Sequence, residues 1–191
     1  MTEPDEPRWL NAEEFAAWLP LISTTVWLPA ALDAQLQRDA GMTLVEYSVL
    51  SWLSMSPGRT ARMSEVAARA NVNLSHLSRI AARLEKRGWM RRSPDPQDGR
   101  ATLAVLTEQG WDKVVATAPG HAAEVQRLVF DNLSTADVSH LRRITERILH
   151  TAKPDLCLPE LLTAPSALAT TRAHRSRAGT SPPEPGSGLA R

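Results

Sequence analysis

Apolar residues recur along most of the chain at helical spacing, and three of these runs open on the same polar signature. Asn11 with Glu14, Thr43 with Glu46, and Ser134 with Asp137 each place a capping side chain three residues ahead of an acid. That pattern satisfies the free N–H groups of a first turn and predicts helices beginning near residues 12, 44 and 135. After Thr43, the residues Leu44, Tyr47, Leu50 and Trp52 to Met55 keep helical spacing until Ser56-Pro57-Gly58 breaks the run. Ser64 is a candidate cap for a short helix containing Val66, Ala67 and Ala70. Asn71-Val72-Asn73 then turns the chain into a longer helix through Leu74, Leu77, Ile80, Ala81 and Leu84, and Gly88 supplies the left-handed cap that closes it.

The period changes at Trp89. Trp89 to Ser93 reads as a strand, Pro94 to Arg100 as a turn-rich loop, and Ala101 to Leu106 as a second strand, so a β-hairpin with a long tip is predicted. A long helical pattern resumes at Thr107 and runs to about Leu133, interrupted at Pro119-Gly120, where a kink is expected because proline removes a backbone donor. A last helix is predicted from about Thr135 to Ala152. Residues 154–191 hold six of the fourteen prolines and end in a small, polar, Gly- and Pro-rich stretch from Ser176 to Arg191, which predicts a largely disordered tail. Leu156 to Leu168 keeps enough apolar character to pack on the body or on a second subunit. Residues 1–10 are expected to be flexible.

One run needs separate treatment. Phe15 to Leu32 carries no charge over 18 residues, the lower limit for a membrane span. Pro20, Pro29 and three hydroxyl residues interrupt it, and its flanks are Glu13, Glu14 and Asp33 where a signal or anchor wants positive charge. It reads instead as a helix buried on most sides, by its own domain or by a second subunit, in a soluble cytoplasmic protein without a membrane role.

The length of 191 residues accommodates one domain with an extension, and 42% hydrophobic with 23% charged residues is an ordinary globular mixture. The net charge of +1 argues at first against a nucleic-acid partner. It is a cancellation. Residues 1–58 carry two basic and eight acidic residues, whereas residues 59–100 carry ten basic and four acidic, a net of +6 in 42 residues. A basic segment of that kind attracts an anionic polymer even when the whole chain is nearly neutral.

That segment coincides with the helix, turn, helix and hairpin, the layout of a winged helix-turn-helix. A groove-reading helix must separate an anchored apolar face from a polar face. Leu77, Ile80, Ala81 and Leu84 form the apolar stripe, which turns Ser75, His76, Ser78, Arg79 and Arg83 outward. The residues nearest the helix start, Ser75, His76, Ser78 and Arg79, are placed to reach base edges, and Arg79 can read guanine with two donors or clamp a phosphate. In the hairpin, Asp98 lies two residues before Arg100 across a glycine, so its carboxylate can orient the guanidinium along the tip. A fixed arginine suits a narrow minor groove. A winged helix used only for protein contact is the competing reading; arginines at positions 79, 83 and 100 argue against it. There is no phosphate-binding glycine loop, metal-protease helix or nucleophile elbow, so no enzyme is expected. The single cysteine, Cys157, excludes an intramolecular disulfide. The five histidines, His76, His121, His140, His150 and His174, show no close pair at ligand spacing, so neither a metal nor a cofactor is expected.

These residues resemble the MarR-type multiple-antibiotic-resistance regulators. The resemblance rests on Leu74-Ser75-His76-Leu77-Ser78-Arg79 with Arg83-Leu84-Glu85-Lys86-Arg87-Gly88, on Asp95-Pro96-Gln97-Asp98-Gly99-Arg100, and on Val105-Leu106-Thr107-Glu108-Gln109-Gly110. It covers roughly residues 10–152 and leaves the tail without a role. It implies a mainly α fold with a small hairpin wing, in which a winged helix-turn-helix of about residues 43–107 sits between dimerisation helices at about 11–40 and 107–152. It further implies a homodimeric repressor on palindromic double-stranded DNA, a wing arginine in the minor groove, and release by a small aromatic or phenolic effector. By position, Trp18, Trp27, Tyr47, Trp111 and His121 are the candidate effector-lining residues. The resemblance does not extend to the peroxide-sensing members, whose reactive cysteine lies near the start of the first helix.

Overall fold

The computed structural model describes residues 7–154. Cys157, His174, the Leu156 to Leu168 segment and the Pro-rich tail lie outside the described residues, as do residues 1–6.

All three expected capping signatures close as capping boxes. Asn11 opens α1 (Ala12–Ala40), Thr43 opens α2 (Leu44–Met55) and Ser134 opens α6 (Thr135–Ala152), each with the acid three residues on accepting from the cap's backbone N–H. Between α2 and α6 the order is β1 (Thr60–Arg62), α3 (Met63–Arg69), α4 (Leu74–Lys86), β2 (Met90–Asp95), β3 (Asp98–Leu106) and α5 (Glu108–Leu128). Short 3-10 turns cover Pro57–Arg59 and Phe130–Asn132.

Ser64 does not cap α3. Arg62 holds the cap position, and the Glu65 carboxylate accepts from the Arg62 N–H, so the helix begins two residues earlier than a cap at Ser64 predicts. Asn71 takes a left-handed conformation in the turn before α4, a role its short polar side chain tolerates, and Asn73 accepts from the His76 N–H to start the helix. Gly88, at φ +72°, ends α4 as expected.

The hairpin differs more. Residues 94–100 are not a long loop: β2 runs to Asp95 and β3 starts at Asp98, so only Pro96 and Gln97 form the tip. Pro94 is tolerated within β2 because the sheet order β1-β3-β2 leaves β2 at an edge, and the register shifts between Pro94 and Asp95. The third strand, β1, pairs antiparallel with β3, Ala61 opposite Ala104.

The prolines leave their helices intact. α1 runs through Pro20 and Pro29, and α5 runs unbroken through Pro119 and Gly120. Each proline deletes one backbone donor, and the hydrogen bonds on either side carry the helix across. α5 stops at Leu128 rather than near Leu133.

The core joins α2, α3, α4, the sheet and the start of α5 around Leu50, Leu53, Val66, Leu77, Ile80, Leu84, Met90 and Val114. Burial of such side chains contributes about 1.5–3 kcal/mol each. The α5 start is locked to the end of α4: Thr107 Oγ1 donates to the Gly88 carbonyl, and a Cβ on Gly110 would sit 1.9 Å from the Trp89 carbonyl oxygen. A smaller cluster of Leu36, Met42 and Tyr47 fastens the end of α1. Its own domain does not cover the Phe15 to Leu32 run of α1: within the single chain only Gln35 and Leu36 of α1 are buried, and no residue of α6 is. By length and composition alone α1 could cross a membrane, yet its last turns pack into the lobe.

Candidate nucleic-acid interface

The apolar face of α4 is buried as its spacing predicts, with Leu77, Ile80, Ala81 and Leu84 at most 1% exposed. Ser75, His76 and Arg79 are exposed and Ser78 is half-buried against the hairpin. Ser78 faces a cleft of about 440 Å³ between the start of α4 and the hairpin, which Asp98 and Arg100 also line, together with Arg62, Arg92 and Leu74. The structure thus brings Ser78, Asp98 and Arg100 to one place. Arg83 departs from that surface: its Nε donates to the Glu46 carboxylate at 2.8 Å, so it ties α4 to the start of α2 rather than standing free.

Asp98 works differently from expectation. Its carboxylate accepts from the Arg100 backbone N–H at 3.1 Å and so shapes the backbone, while the Arg100 guanidinium stays exposed and unpaired among the described residues. The hairpin is fastened instead by two ion pairs that local spacing does not reveal. Asp95, 7% exposed, accepts from the Arg62 guanidinium at 2.9 Å. The Gln97 N–H, and then Arg62, hold its carboxyl below the usual range. Glu85 on α4 accepts from Arg92 on β2 through side chain and backbone; Arg92 lowers the Glu85 pKa, and its own is raised in return. Arg92 also donates to the Ser78 hydroxyl at 3.3 Å, so the hairpin and the helix are held in fixed relation.

This sorts the ten basic residues of the 59–100 segment. Arg59 stacks over Trp111 and pairs with Glu108, Arg69 stacks over Trp52, and Arg87 covers Trp89 and donates to the Gly41 carbonyl. With Arg62, Arg83 and Arg92 also held, the side chains of Arg79, Lys86, Arg91 and Arg100 are the ones without an intramolecular partner among the described residues. Sequence spacing singled out Arg79 and Arg100 but passed over Lys86, which lies seven residues after Arg79 on the same face of α4.

Glu46 is 2% exposed. Burial pushes its carboxyl up, but the Thr43 N–H and the Arg83 guanidinium outweigh that, and its pKa is lowered. Asp33 of α1 accepts from the Leu44 N–H at 2.7 Å, so the start of α2 joins α1 to α4.

Of the five effector-lining candidates the structure gathers two. Tyr47 and His121 pack with ring centroids 4.7 Å apart. Burial raises the Tyr47 pKa and lowers that of His121. His121 Nδ1 and the nearby Gln35 Oε1 are buried without hydrogen-bond partners, Gln35 lying against Gly120. Trp18 and Trp27 lie on the exposed part of α1, and Trp111 lies under Arg59, so these three do not join the pair. Among the described residues no three His, Cys, Asp or Glu side chains form a group able to hold a metal ion.

Comparison with known proteins agrees with this architecture. Residues 42–102 match the MarR family profile. The chain is 43% identical to Sco3205, a MarR family transcriptional regulator from Streptomyces coelicolor solved in complex with DNA, with a TM-score of 0.74 over 80% of this chain and 95% of that one. It is 32% identical to AbsC, a MarR family transcriptional regulator of the same organism, with a TM-score of 0.72 over 78% of this chain and all of that one. Over 92 residues it is 39% identical to YdcH, an uncharacterized HTH-type transcriptional regulator of Bacillus subtilis, covering 44% of this chain and 63% of that protein. The chain thus spans less than two thirds of the curated relatives it matches, among them the repressor IacR of Pseudomonas putida at 58%.

Proposed function

The chain belongs to the MarR family of transcriptional regulators, and on that premise we propose that it is a cytoplasmic, homodimeric repressor that binds a palindromic operator and has no catalytic role. Each α4 enters a major groove, with Ser75, His76, Ser78 and Arg79 at base edges, and each hairpin carries Arg100 into the flanking minor groove. The observation that carries this reading is the partition of the basic segment. Arg79 and Arg100 remain unpaired on the surface that Ser75 and Ser78 share, while most of the other arginines are consumed by internal partners. A protein-docking surface has no need of that selection.

The apolar stripe Phe15, Trp18, Leu19, Ile22 and Val26 on α1, and Leu141, Ile144 and Ile148 on α6, are exposed in the single chain and supply the dimer interface. Four unpaired cations per protomer give eight per dimer. Plotting the logarithm of affinity for duplex DNA against that of salt should then give a slope near about −7, at about 0.9 per phosphate contacted. A flat salt response would support a protein-interaction module instead.

The unpartnered Gln35 Oε1 and His121 Nδ1, beside the Tyr47 ring, favour a second element of this reading. A small aromatic acid stacked on Tyr47 would accept from a His121 Nδ1–H through its carboxylate, a phenolic hydroxyl would donate to Gln35 Oε1, and by favouring a different dimer spacing the ligand would release the operator. Titration with benzoic and hydroxybenzoic acids should displace DNA from the wild type but not from Tyr47→Ala; equal response in both refutes this location.

A further inference from the structure

Leu74 is the first residue of α4, directly after the Asn73 cap, and it is 54% exposed. The other large hydrophobic residues exposed to a comparable degree among the described residues fall at positions 9–27 and 130–148, on or just before the helices assigned above to the dimer. Leu74 stands apart from them on the winged lobe. It lines the cleft between α4 and the hairpin with Ser78, Arg100 and Ala101. Leu74 and Ser78 form one row on the helix surface and Ser75 and Arg79 the next, so the leucine is set among the groups that face the bases. A single side chain is too small a patch to dock another protein.

We propose that Leu74 reads the 5-methyl group of a thymine in the major groove. This rests on the reading of α4 as the helix that enters that groove. The thymine methyl is the apolar feature that B-DNA presents there, and the serine hydroxyls and the Arg79 guanidinium around Leu74 cannot supply its apolar complement. Leu74 therefore sets a preference for thymine at one position of each half-site, inside the span read by Arg79. The leucine stays exposed in the free protein because its apolar partner is the ligand.

The test uses the full chain and an operator recovered from random duplexes, in which symmetry-related thymines are replaced pair by pair with deoxyuridine. Loss of one buried methyl weakens binding about fourfold, and so about fifteenfold for the pair. We expect that loss at one symmetric pair and little change elsewhere. Leu74→Ala should bind the thymine and uracil forms of that pair equally, with unchanged thermal unfolding, while Leu74→Met keeps the discrimination. Silence of uracil at every pair in a wild-type protein that binds the operator overturns the proposal, as does discrimination that persists in Leu74→Ala. Absence of any duplex binding overturns the groove reading along with it.

Discussion

Ile22→Asp is expected to convert the protein to a monomer and abolish operator binding. Ile22 is 39% exposed on the free face of α1 and belongs to neither core cluster, so the winged lobe has no use for it. In a two-fold dimer the substitution appears twice. Losing the burial of two isoleucines removes about 4 kcal/mol, close to a thousandfold in dissociation constant, before the cost of desolvating two carboxylates is added. Ile144→Asp on α6 should act the same way, since α6 has no buried residue and its Leu141, Ile144 and Ile148 are exposed. Sedimentation equilibrium checks both variants, with circular dichroism confirming that helix is retained. A dimer of unchanged affinity in both would show that α1 and α6 do not form the interface.

Arg100→Ala is expected to weaken operator binding about a hundredfold while leaving the dimer and its stability unchanged. The guanidinium is exposed, makes no internal ion pair among the described residues, and follows the two-residue turn Pro96-Gln97 whose geometry is set by side chains other than its own. Its removal costs no packing. An arginine at a groove is worth about 1–3 kcal/mol, and two wings double it. The salt slope should become less negative by about 2, because two cations no longer displace counterions. Arg62→Ala makes an informative contrast: it strips the partner from Asp95 and loosens the hairpin itself, so its loss of binding should come with a lower melting temperature. If Arg100→Ala binds as the wild type does, the wing does not touch DNA.

These two variants probe features that differ in how plainly the sequence displays them. Cap residues with an acid three positions on are local, which is why Asn11, Thr43 and Ser134 located their helix starts. The apolar stripe of α4 is equally local, and so is the Gly88 stop. The three residues of β1 are too short to show alternation, and the strand exists because β3 offers it a pairing edge. The hairpin tip looked longer than it is because proline and aspartate read as loop, although an edge strand tolerates Pro94 and Asp95 turns back onto the Gln97 N–H.

The site was legible by face but not by partner. Helical periodicity placed Arg83 outward beside Arg79, and only the fold reveals that Glu46, 37 residues earlier, takes it. The same holds for Arg62 with Asp95 and for Arg92 with Glu85, pairs that form across elements. Leu74 belongs to an apolar run in the sequence, yet its place in the first turn of α4 leaves it in solvent. Tyr47 and His121, distant in sequence, meet because α2 and α5 pack together, whereas Trp18 and Trp27 stay on the exposed part of α1.

The central claim is that two copies of α4, held by one interface, read DNA in adjacent turns. Selection of bound duplexes from a random pool by the full-length protein tests it most directly. The account predicts enrichment of a palindrome whose half-sites lie about one helical turn, roughly 10 base pairs, apart. Failure to enrich any sequence, or enrichment of a single unpaired half-site, would contradict it.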